Sequence, residues 1–188
     1  MATGTIVLIV VAVIVVILII WFIGSYNGFI RLKNTVEEAF ATMDVYMKKR
    51  FDLIPNLVET VKGYAAHEAN TLQNVVEARN MTQSAKTVEE RMEKENALTG
   101  TLKTLFAVAE NYPDLKANQN FMDLQKQLQG IESEIANSRK YYNATVKEFN
   151  TKTESFPSNI IAGMFHFQRK PVFEVDREEE RQNVHVQF

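Results

Sequence analysis

FMDLQKQLQGIESEIANSRKYYNATVKEF, residues 121–149, is the stretch whose reading decides the fold. Its apolar residues Phe121, Leu124, Leu128, Ile131, Ile135, Tyr142, Val146 and Phe149 follow one another at steps of 3, 4 and 7. An α-helix turns once in about 3.6 residues, so this spacing gathers them on one face. Lys126, Glu132, Glu134 and Arg139 fall on the other faces. A helix this long and this amphipathic has to bury its stripe against other helices.

Working outward, a second periodic stretch runs from Thr87 to Asn111, with Leu98, Leu102, Leu105 and Ala109 on its apolar side. Thr87 followed by Glu90 has the form of a capping box, which predicts the start of that helix. NYPDLKAN breaks it at Tyr112-Pro113. Further upstream, Val36, Phe40, Met43, Met47, Phe51, Ile54, Val58, Val61, Ala65, Leu72 and Val76 describe one stripe on one very long helix. Three long amphipathic helices with short turns predict an all-α antiparallel bundle with near-aligned axes. The scarcity of Gly (7) and Pro (4) agrees with an all-α chain.

The N-terminal TIVLIVVAVIVVILIIWFI, residues 5–23, carries no charge. Roughly 20 apolar residues at ~1.5 Å each match the ~30 Å hydrocarbon core of a bilayer, so a single transmembrane helix is expected. A signal peptide would want a basic leader and a small-x-small cleavage site after a shorter run. Trp21 and Tyr26 are placed to be interfacial aromatics. Arg31 and Lys33 follow the span and no Lys or Arg precedes it, which leans the helical domain towards the cytoplasm. GSYNG, residues 24–28, reads as the end of the anchor or a hinge. The expected organisation is thus an anchor and junction over 1–28, a long-helix bundle over 29–155, and a short helical segment with a tail over 156–188.

Composition excludes several functions. A net charge of −2 in 188 residues leaves no basic face for nucleic acid. The absence of cysteine excludes disulfides, thiolate metal sites and a Cys nucleophile. His67-Glu68 lacks the second histidine of H-E-x-x-H, since Thr71 stands at the fifth position, and His166 and His185 lie far along the chain. No Glu has a His three residues later, as a carboxylate-bridged metal pair in a bundle requires. There is no G-x-S-x-G, no S-x-x-K and no phosphate-binding loop. No catalytic, cofactor or metal residues are therefore expected. Ser138 reads as part of a solvated polar face, and Asn80-Met81-Thr82 and Asn143-Ala144-Thr145 are weak glycosylation sequons. Lys48-Lys49-Arg50 also reads as a solvated face, with Asp44 pairing to Lys48. Upright, the 25 residues from Ile23 to Lys48 rise about 38 Å, several Debye lengths beyond the headgroups.

Two features remain. Pro55 lies inside the longest stripe, so a kink in a continued helix is expected, with the Phe51 carbonyl left for water or a side chain. ESFPSNIIAGMFHF is long enough for one or two helical turns capping the bundle. The tail ends VHVQF, where Val184, Val186 and Phe188 form a candidate partner-binding strand; a frayed terminus is the commoner fate.

YNGFIRLKNTVEEAFATMDVYMKKRFDLIPNLVETVKGYAAHE, LFAVAENYPDLKANQNFMDLQKQL, IESEIANSRKYYNATVKEFN and FPSNIIAGMF together carry a resemblance to the bacterial LemA family, nearly end to end. Phe40 stands where that family often has Trp, and Val45-Tyr46-Met47 where it often has Val-Gln-Leu. The resemblance implies a helical bundle anchored in the bacterial cytoplasmic membrane, and brings no reaction, ligand or catalytic residue with it. Such proteins are often encoded near membrane metallopeptidases. The expected function is a structural or adaptor protein, held in the bilayer by residues 5–23, forming a homo-oligomer or docking membrane proteins such as a peptidase. The alternative is an enzyme or regulatory subunit of a membrane protease or signalling complex.

Overall fold

The first helix, α1 (Ala2–Lys62), starts in the apolar run and continues without a break through Gly24 and Gly28. The computed structural model describes residues 2–173, with side chains from 3 onward. The candidate tail residues Val184, Val186 and Phe188 lie outside the described residues. The hinge expected at GSYNG does not occur. Phe29 is fully buried and Tyr26 packs on Phe165, so side-chain contacts hold the helix where composition favours a break.

After α1 come α2 (Ala69–Ser84), α3 (Val88–Ala109), the short α4 (Pro113–Lys116), α5 (Gln119–Glu154) and α6 (Ser158–Met164). There is no strand among the described residues. The chain is all-helical, with one long apolar N-terminal helix and a helical bundle. The single helix expected from Val36 to Val76 is two. α1 stops at Lys62, and Gly63, Tyr64 and Ala65 close the end onto the Glu59 and Val61 carbonyls. The seven-residue step from Ala65 to Leu72 marks this turn. Across it the register changes: Val75 is buried and Val76 is exposed.

The chain divides into two compact units. One comprises residues 42–139 with 173. Its core gathers Ile54, Leu57 and Val61 of α1, Leu72 and Val75 of α2, Leu98, Leu102 and Leu105 of α3, Leu115 of α4, and Phe121 and Leu128 of α5. The Thr87 half of the expected capping box forms, while the Glu90 side chain reaches one residue past the cap. Glu90 N–H donates to Thr87 Oγ1 at 3.1 Å, and the Glu90 carboxylate accepts from Lys86 N–H at 2.8 Å. Glu89 and Glu90 also place negative charge where the first turn of α3 favours it. Asn118 Oδ1 accepts from Phe121 N–H at 2.9 Å and so caps α5.

The other unit comprises residues 2–41 with 140–172. Phe29, Val36 and Ala39 of α1, Tyr142, Val146 and Phe149 of α5, and Ile161 and Ala162 of α6 are buried in it. After α6 the chain returns along α5. Asn150 receives Lys170 N–H and donates to Lys170 O, each at 2.8 Å, and Tyr142 Oη donates to Pro171 O at 3.0 Å.

Candidate functional site

His67 and Glu68 end in separate roles. His67 is exposed, while Glu68 Oε1 accepts from the Tyr112 hydroxyl at 2.9 Å. That hydrogen bond, then burial and the negative charge of Glu68, raise the Tyr112 pKa above the ordinary tyrosine value. The pair ties the turn after α1 to the turn before α4. Among the described residues no three His, Asp or Glu side chains gather as a metal site.

Pro55 removes the helical donor to the Phe51 carbonyl. Arg79 of α2 supplies one instead: its Nε donates to Phe51 O at 3.0 Å, and its guanidinium lies 3.7 Å from the Phe51 ring centre. One side chain thus satisfies an orphaned carbonyl and makes a cation–π contact with the same residue.

The unit of residues 42–139 also holds a charged network that the sequence reading missed. Arg50 is 0% exposed, not solvated. It is ion-paired with Glu95, itself 2% exposed, and donates to Glu132 Oε1 at 2.5 Å and Thr99 Oγ1 at 2.8 Å. Arg91 extends the network, donating to Glu95 at 3.1 Å and Asp44 at 2.8 Å. Asp44 therefore pairs with Arg91, and Lys48 pairs with Asp52 at 2.7 Å. Arg139 stacks over Phe173 at 4.2 Å, and burial, then the Arg50 charge, lowers its pKa. Ser138, expected in water, is buried. Each carboxylate of the network already accepts from an arginine, which suits them to fixing α1, α3 and α5 in register rather than to proton transfer.

The signal for Arg50 lay in the spacing. Met43, Met47, Arg50 and Ile54 step by 4, 3 and 4, so Arg50 sits on the apolar stripe. Glu95 does the same on α3, between Met92 and Leu98.

In the unit of residues 2–41 and 140–172, an aromatic cluster is built where the apolar run of α1 ends. α6 closes with His166 in the left-handed region (φ 56°), with Phe167 N–H donating to Ala162 O at 2.9 Å. This turn sends Phe165 onto Tyr26 and Phe22, at 4.6 and 5.9 Å between ring centres. It stacks Phe167 on Phe29 at 4.7 Å. Beside the cluster runs a groove of about 840 Å³, bordered by Gly24, Gly28, Arg31, Lys147, Lys152 and Ser158 among others. A Cβ at Gly28 would overlap the Lys152 amine, so glycine makes room for that side chain to lie over the Phe29 ring at 4.9 Å. Desolvation, then the charge of Arg31, lowers the Lys152 pKa.

A model of the LemA family matches residues 39–188. Protein LemA of Metamycoplasma hominis is 25% identical over 157 residues, covering 81% of this chain and 70% of its own length. Magnetosome protein MamQ 1 of Paramagnetospirillum magneticum is 25% identical over 175 residues, and magnetosome protein MamQ of Magnetospirillum gryphiswaldense 22% over 174. These two alignments each cover 79% of this chain and 64% of the relative. The family match takes in α2 to α6 together with residues 39–62 of α1, where Arg50 and Pro55 lie, and on that extent the chain belongs to the LemA family.

Proposed function

We propose that this chain is a non-enzymatic, single-span membrane protein whose helices dock other proteins, further copies of itself among them. One observation carries the reading. The large apolar side chains from Ile6 to Ile20 are 47–69% exposed, on every side of α1. A helix apolar all round is stable only where something apolar surrounds it, and one of this length matches a bilayer. The relatives' names carry no reaction, in keeping with the non-enzymatic reading. Arg31 and Lys33, close after the span, favour a cytoplasmic bundle at the bacterial inner membrane.

The adaptor role draws support from the polar framework around Arg50, which gives a docking surface one fixed register. The test has two arms. Membrane fractions extracted with alkaline carbonate should retain the full chain, and release of the chain would sink the anchor. Crosslinking in native membranes followed by pull-down should give adducts of defined mass. A strictly monomeric chain at micromolar concentration, alone and with membrane extract, would refute the docking role.

A further inference from the structure

α6 carries a feature at odds with an aqueous setting. Phe156, just before it, is 81% exposed, and Ile160 and Met164 are 52% and 59% exposed. Ile160 and Met164, four apart, share one face of α6, with Ile161 and Ala162 buried on the other side, and Phe156 lies in the turn that leads into the helix. Its place along α1 says what faces it. Phe165, next after Met164, packs on Phe22 and Tyr26, which flank the last residue of the apolar run, Ile23. Gly24 and Gly28, which border the groove, lie about 2 and 8 Å beyond Ile23 at ~1.5 Å per residue. The interfacial layer of a bilayer is itself about 5–8 Å thick.

The groove supplies the matching charge. Arg31, Lys147 and Lys152 line it against one acid, Glu148, and none of the three cations is in an ion pair among the described residues. An apolar stripe beside unpaired cations is the pattern of a segment lying in an anionic membrane surface.

We infer that α6 and the turn before it make a second membrane contact: Ile160 and Met164 of the helix, with Phe156 of the turn, enter the interfacial layer beside α1, and Arg31, Lys147 and Lys152 bind the phosphates of anionic phospholipids. This rests on residues 5–23 spanning the bilayer. Ordinary adaptor chemistry would leave the stripe to a protein; the level of Phe165 and the unpaired cations assign it to lipid.

The cysteine-free chain allows a direct test. Single cysteines replace Ile9, Gln83, Phe156, Ile160 or Met164 in the full chain, which is labelled with a fluorophore and reconstituted in phosphatidylcholine vesicles with and without phosphatidylglycerol. Labels at 156, 160 and 164 should be quenched by nitroxide lipids and shielded from iodide, as at 9, whereas 83 should behave oppositely. If 9 is embedded while 156, 160 and 164 are as open to iodide as 83, the second contact is wrong and the span stands. If 9 is open as well, the span fails too. Shielding of the stripe from both quenchers means a protein covers it and also overturns the inference. Arg31→Gln and Lys147→Gln should each lower the preference of the chain for spin-labelled phosphatidylglycerol over phosphatidylcholine about fivefold. An unchanged preference would remove the phosphate contact.

Discussion

The Arg79–Phe51 contact can be tested as a pair with Pro55. Arg79→Met removes the 3.0 Å hydrogen bond to the Phe51 carbonyl and the guanidinium over its ring. With Pro55 in place, no backbone N–H is available to take over, and a partly buried carbonyl loses its donor. That should cost about 1–3 kcal/mol, with about 0.5–1 kcal/mol more for the cation–π contact. In a Pro55→Ala background the backbone N–H of position 55 is restored and can donate to the Phe51 carbonyl, so Arg79→Met should then cost only the ring contact. The expected coupling is therefore about 1–3 kcal/mol, the carbonyl's share alone, well above the ~0.5 kcal/mol within which independent sites add. Urea unfolding of the full chain in mild detergent, followed by far-UV circular dichroism, supplies the four free energies. Equal costs of Arg79→Met in both backgrounds would refute the reasoning. The same Pro55→Ala variant tests the proposed bend of α1: spin-label distances from residue 45 to residue 62 should lengthen, and unchanged distances with unchanged assembly would remove it.

Arg50→Met should destabilise the protein by about 3–5 kcal/mol because it leaves Glu95 buried without its partner, and Arg50→Met with Glu95→Leu should recover much of that loss; a double variant no better than the single would count against an electrostatic origin. The Tyr112 pKa is raised by the hydrogen bond its hydroxyl donates to Glu68, so the contact stabilises the fold below the ordinary value of 10.0 and is lost as pH rises through the higher folded value. Ultraviolet titration should show a late-titrating tyrosine that Glu68→Gln returns towards 10.0, and no change on that substitution would exclude Glu68 as the cause. His166→Gly should stabilise by about 0.5–1 kcal/mol, since the left-handed conformation strains an L side chain, and a loss in the same urea assay would show that the histidine side chain itself matters. Charge substitutions at exposed Val45, Met81 and Met122 should each leave stability within about 0.5 kcal/mol while changing the crosslinked species; unaltered adducts would exclude those positions from docking.

What the sequence disclosed depended on range. The stripe of α5 held because its period is local: Phe121, Leu128, Ile135, Tyr142, Val146 and Phe149 are buried. Thr87 and Glu90 were legible for the same reason, since a cap is settled within one turn. The end of α1 at Lys62 was hidden by apolar residues that keep nearly the same spacing across the turn, with only the Ala65–Leu72 gap to betray it. Arg50 was misread because composition places three cations together at 48–50, whereas position places the third of them on the buried face. The aromatic cluster was out of reach altogether, since it joins residues 22–29 to residues 149–167 and no local pattern encodes that meeting.

Within α1, Asp44, Arg50 and the Phe51 carbonyl each bond to a side chain of another helix: Arg91 and Glu95 of α3, Glu132 of α5, and Arg79 of α2. Apolar packing alone tolerates a shift of one helix by a turn, because one stripe of Leu, Ile and Met fits against another in several registers. A buried arginine does not, because any shift strands a charge at a cost of several kcal/mol. The polar contacts therefore do more to select one arrangement than to stabilise it, which is the role in which buried ion pairs are best attested. Specificity of this kind matters little to a helix that only spans a membrane. It matters to a surface that another protein must recognise, and a register fixed around Arg50 is what the proposed docking role would require.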